Sequence, residues 1–135
     1  MRFCRSVFLL IVLLHVSACS HAKRDAERDA AGDAMDSSRG AYNSCMDAYG
    51  PKNIKSIESA ETISIAAHSA CVPYFNGYAS NFRTWSSLRY GGIRGDHGSG
   101  RGKSEEETQI ENTRKGAQAR VIQFVVEARG ASPSK

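Results

Sequence analysis

Residues 95–104 read GDHGSGRGKS and hold the densest set of groups in the chain that could do chemistry. Gly102-Lys103-Ser104 matches the end of the phosphate-binding pattern G-x-x-x-x-G-K-[ST], in which successive backbone N–H groups curl round the phosphates. The register fails. The first glycine belongs at position 97, which is His97, while Gly98 comes one residue too late and Gly95 two too early. The setting fails too, because such a loop follows a β-strand and here a helical pattern and YGGIRG precede it. The P-loop is therefore rejected, and Ser104 is better explained as a helix cap.

Other readings of the same stretch remain. Arg94, His97, Arg101 and Lys103 lie in a glycine-rich run that feeds a helix N-terminus, a place suited to anions. Against this, Glu105, Glu106 and Glu107 already occupy that helix end. Asp96-His97 offers half of a general acid–base pair, but no serine or cysteine has the setting of a nucleophile. Six glycines in residues 91–102 predict a flexible loop, a poor support for catalytic geometry. No enzyme signature emerges.

The N-terminus, MRFCRSVFLLIVLLHVSACSHA, has two arginines, then an unbroken apolar run from Val7 to Leu14, then small residues. That order is a secretory signal, and the run is far short of the ~20 residues that span a bilayer. Val16-Ser17-Ala18-Cys19 resembles the lipobox of bacterial lipoproteins, an apolar residue and two small ones before a cysteine. The resemblance covers only the signal region and says nothing of the mature fold. It implies diacylglyceration of Cys19, cleavage just before it, and a membrane partner through the lipid anchor. Ser20, where an aspartate would retain such a protein at the inner membrane, implies the outer membrane, facing the periplasm. The alternative is ordinary cleavage after Ala18 or Ala22, leaving a soluble secreted or periplasmic protein.

Without residues 1–18 the chain keeps 16 Lys plus Arg against 14 Asp plus Glu, a formal charge near +2. Such a balance argues against a nucleic-acid partner. Of the four cysteines, Cys4 leaves with the signal and Cys19 is assigned to the lipid, so Cys45 and Cys71 predict one disulfide in an oxidising compartment. His15, His21, His68 and His97 form no ligand-spaced cluster with them, so neither a metal nor a cofactor is expected.

Residues 19–36 are Ala-rich and charged and read as a tether. Tyr42, Cys45, Met46 and Tyr49 fall on one face of a helix over 38–49, stopped by Gly50-Pro51. Ser59 caps a second helix whose stripe is read as Ile63, Ala66, Ala67, Ala70, Cys71 and Tyr74, then Tyr78, Phe82, Trp85 and Leu88, with a bend near Pro73. Phe75 falls off that stripe and, with Tyr90, is a candidate for an exposed partner-binding patch; His68 reads as a surface residue. Ser104 and Glu107 match a capping box for a third helix, with Ile110, Ala117, Val121, Phe124, Val125 and Ala128 inward and Gly130 as the stop.

The expected fold is all-α, a small three-helix bundle over residues 37–130 stapled by Cys45–Cys71, with a glycine-rich loop between helices two and three and a disordered tail at 131–135. The expected role is that of an envelope-anchored module binding a protein or cell-wall partner, not an enzyme. The rival is a small periplasmic ligand-binding protein or hydrolase built on Arg94, His97 and Arg101.

Overall fold

The computed structural model describes the backbone of residues 3–90 and 100–130 and the side-chain surroundings of residues 22–90 and 105–130. Three helices pack together: α1 (Phe3–Asn53), α2 (Ala60–Tyr90) and α3 (Gly100–Gly130). There is no strand among the described residues. Contacts give the directions. Ala34 and Cys45 of α1 meet Asn81 and Cys71 of α2, so these two run antiparallel. Arg83 of α2 meets Glu107 and Tyr78 meets Thr113, so α3 reverses again. The bundle is up–down–up, and the connector 54–59 shares its end with the C-terminus of α3.

The main core joins Tyr42 and Met46 of α1, Ile63, Ala67 and Cys71 of α2, and Ala117, Val121 and Val125 of α3. Alanine and valine at the crossings let three helices approach closely around a few larger side chains. A smaller cluster lies towards the other end: Met35, Tyr78, Ala79 and Ile110. Phe75 packs against both.

The disulfide joins Cys45 and Cys71 with their Cα atoms 5.9 Å apart. A helix ending at Tyr49 would leave a long offset for the connector. Instead α1 runs on to Asn53, through Pro51. Cys45 then stands eight residues from its helix end and Cys71 eleven from its helix start, a mismatch of ~4.5 Å at 1.5 Å per residue. Pro51 deprives the Asp47 carbonyl of its helical partner, but Asp47 is exposed and water can replace the lost donor. Pro73 does not break α2 either, and it faces solvent, where the carbonyl it leaves without a helical partner can meet water.

The α1–α2 connector is fixed from outside. Arg129, one residue from the end of α3, donates to three backbone carbonyls: Ile54 at 3.1 Å, Ser56 at 2.7 Å and Glu58 at 2.8 Å. The planar guanidinium suits this, since its donors diverge at fixed angles. Ser59 caps α2 as its position suggests, accepting from the Thr62 N–H at 3.1 Å.

Two boundaries differ from the sequence pattern. Helix α1 has no break near Ser38, and Met35, placed in the tether, is 9% exposed against α2. Residues 22–30 are exposed apart from a partly covered Arg28, and Ala-rich sequence and pairs such as Lys23–Glu27 and Arg28–Asp25 favour the helix locally. Helix α3 starts at Gly100, not after Ser104. The N–H groups that need a cap thus belong to residues before Ser104, and Glu107 pairs with Arg83 in place of closing a capping box.

Candidate functional site

At the end of the bundle where α2 finishes and α3 begins, a groove of about 550 Å³ opens between the two helices. Phe82, Trp85, Ser86 and Tyr90 line it from α2, and Glu105, Glu106 and Gln109 from α3. The rings form a ladder. Phe82 and Trp85 have centroids 5.7 Å apart, and Tyr90 meets Trp85 edge to face at 6.1 Å. Arg89 places its guanidinium carbon 5.3 Å from the Trp85 ring centroid and 5.9 Å from that of Tyr90, within cation–π range. Arg83 bridges the helices, reaching Glu107 at 2.8 Å and Glu106 at 3.5 Å.

The groove exists because the aromatic stripe of α2 outruns the apolar surface facing it. Opposite Trp85 on α1 stands Gly32, where a Cβ would lie 3.5 Å from the indole. On α3 the facing positions are carboxylates and an amide. Phe82 and Trp85 are therefore left half-buried and Tyr90 47% exposed.

The candidates from the sequence fare differently. Tyr90 does sit on an exposed aromatic surface. Phe75 does not: it lies between the two cores, with centroids 5.2 Å from Tyr42 and 5.2 Å from His68. Its neighbour Tyr74 takes the outward place, 51% exposed. The stripe that is buried runs Cys71, Phe75, Tyr78, Phe82, so the helical phase is one residue off the pattern read from Ala70 and Tyr74. Leu88 and Phe124, both assigned inward, are 44% and 41% exposed. Phe124 lies across Gly50, where an added Cβ would come within 3.0 Å of its ring. Arg94 and His97 lie outside the described residues, as do the side chains of Cys19, Arg101 and Lys103 and the tail 131–135.

His68, read from the sequence as a surface residue, is half-buried against α1. Its Nδ1 stands 3.0 Å from the Tyr42 hydroxyl, and its ring meets Phe75 edge-on. Burial, with Arg114 adding to it, holds the imidazole below its usual pKa. The neutral ring can then accept from the tyrosine. Tyr42 is fully buried, and burial pushes its phenol up to about 12. Arg114 caps the cluster, paired with Glu111 and donating to Gln118 at 2.8 Å. The hydrogen bond from Arg114 keeps the Glu111 carboxyl below its ordinary range. This cluster satisfies polar groups at the edge of the main core.

Among the described residues no group of three or more His, Cys, Asp and Glu stands close enough to hold a metal ion. Nor is any helix among them long and apolar enough to cross a membrane. The groove was not legible as a site because Phe82 and Trp85 look like ordinary core residues. The signal that marks it is Gly32, which brings no side chain against Trp85 from α1. The chain matches no protein-family model, no curated protein and no solved structure.

Proposed function

We propose that this chain is a lipoprotein of the bacterial envelope, anchored through an acylated Cys19, that acts by binding a partner protein in the α2–α3 groove and not by catalysis. The observation that carries this reading is the groove itself. Three aromatic rings stay partly uncovered at one end of a bundle that the disulfide holds rigidly at the other. Aromatic side chains of this kind dominate binding energy at protein interfaces, since they bury much area with few rotors. The anchor rests on the ordered signal region and on Val16-Ser17-Ala18-Cys19.

In-cell crosslinking of the anchored protein followed by affinity purification tests the reading. Wild type should capture a partner that Trp85→Ala loses, with both proteins equally helical by circular dichroism. Equal capture by Trp85→Ala would remove the groove as the site. Metabolic labelling with a fatty-acid analogue should mark wild type and not Cys19→Ala; equal labelling would remove the anchor.

A further inference from the structure

Beside the disulfide, one bond between α1 and α2 depends on a proton. Tyr42 is fully buried, so its hydroxyl hydrogen cannot turn to water. Among the described residues its hydrogen-bond partner is Nδ1 of His68, 3.0 Å away. The phenol is neutral at physiological pH and has that hydrogen to donate, so Nδ1 must accept it, and only the neutral imidazole offers an acceptor. Protonation turns Nδ1 into a donor. Two hydrogens then meet in one gap, and the phenol's is left without an acceptor inside the core, an arrangement the fold resists.

The surrounding charges do not relieve this. From α3, Arg114 opposes an imidazolium, and Glu111, which favours one, is already paired with Arg114. Arg120, which also acts on Tyr42, is held by Asp47 and Asn43. From α1 the facing group is the neutral phenol, and on α2 itself the neighbour is the Phe75 ring, with centroids 5.2 Å apart. The place of the pair decides what gives way. Cys45 follows Tyr42 by one turn and is bonded to Cys71, so α1 beyond it stays pinned. Upstream of Tyr42, α1 is gripped at Met35, in the smaller cluster, and at the Ala34 carbonyl, which accepts from Asn81.

We infer that the Tyr42–His68 pair is an acid-sensitive latch: when His68 takes up a proton, α1 loosens from α2 between Ala34 and Tyr42, while the Cys45–Cys71 bond keeps the connector end closed. Burial, with Arg114 adding to it, holds the imidazole below its usual pKa. The latch is therefore closed above pH ~6.5 and opens as pH falls through the folded value below that.

Amide hydrogen exchange of the purified chain, disulfide intact, tests this at pH ~7.5 and pH ~5, with each rate referred to the intrinsic rate at its own pH. Protection over residues 35–43 should fall about tenfold or more at the lower pH, while that of residues 46–52 and 117–125 holds. His68→Gln supplies an amide oxygen that can accept from Tyr42 and takes up no proton, so it should keep the protection at both values. His68→Phe removes the acceptor and should lower it at both. An NMR titration of the His68 ring should give a pKa below that of a free histidine. Protection in wild type that is equal at the two pH values overturns the inference. So does a fall that persists in His68→Gln, since another group would then be the sensor. A fall shared evenly by all three helices overturns it as well, because the fold would then be failing as a whole.

Discussion

The two ends of the bundle are built on opposite terms. At the connector end, a disulfide, the main core and three carbonyl bonds from Arg129 bind all three helices to one another. At the groove end, a four-residue cluster is the last buried layer, and beyond it half-covered rings face carboxylates. Small domains have little apolar surface to distribute. This one concentrates its rigidity at one end, and the other is free to leave aromatic surface uncovered without losing the fold. Stability and recognition are thus separated along the helix axes by about twenty residues of α2.

Perturbations at the two ends should therefore differ in kind. The largest effect belongs to the disulfide. Replacing Cys45 and Cys71 together by serine removes a constraint on a loop of sequence separation 26 and should cost about 3–4 kcal/mol, read as a lower denaturant midpoint. Protection of amide hydrogens should fall most at the connector end. Uniform loss along α2 would break the contrast between the ends.

Alkaline pH acts on the same end. Tyr42 ionises near pH 10 when unfolded and at about 12 when folded. The neutral phenol is the form the native core accepts, so this contribution, about 2–3 kcal/mol, is whole below pH 10 and vanishes as pH rises towards 12. A pH series of chemical unfolding on wild type and Tyr42→Phe should show the extra alkaline loss in wild type alone. His68 has the opposite dependence: its depressed pKa supports the fold above pH ~6.5 and less as pH falls below it.

Arg129→Met keeps the aliphatic stem and removes the three bonds to the connector, at a cost of about 2 kcal/mol by thermal unfolding. At the groove end, Met35→Ala should cost about 1–2 kcal/mol, because its half-buried neighbours Phe82 and Trp85 can move into the space. A larger loss than that of Arg129→Met would mean the groove end is the more rigid one. The smallest effect is reserved for residues 95–99. Exchanging them for a Ser/Gly segment of equal length should shift the melting temperature by only ~1–2 °C, as the flanking helices carry their own packing.

Much of this plan can be read in the residues before any coordinates. Once Cys4 and Cys19 are set aside with the signal region, Cys45 and Cys71 are the pair left for a disulfide, and Ser59 announces the start of α2. What escapes is what depends on the facing helix. Tyr74 and Phe75 are adjacent, aromatic and equally apolar, and only the position of Tyr42 and His68 across the interface decides which of them turns inward. Residues 19–36 look unable to pack because they hold a single large apolar group, yet that group, Met35, finds the pocket beside Tyr78. Ser104 offers the chemistry of a cap, but backbone propagation to Gly100 places it inside the helix. The groove escapes for a related reason: an aromatic stripe says that rings are present, not whether anything covers them.

The unbroken course of α1 has a mechanical consequence. From Ala22 to Ala30 all residues but Arg28 are exposed, and the helix runs on without a break into the part that meets α2 at Ala34 and Met35. Such a shaft transmits rotation as well as length. One residue inserted there turns everything upstream by ~100° about the axis relative to the groove, whereas seven restore the heading to within ~20° and add ~10 Å of reach. In the proposed lipoprotein, the heading of the groove relative to Cys19 is thus set, residue by residue, by the length of this exposed stretch of α1.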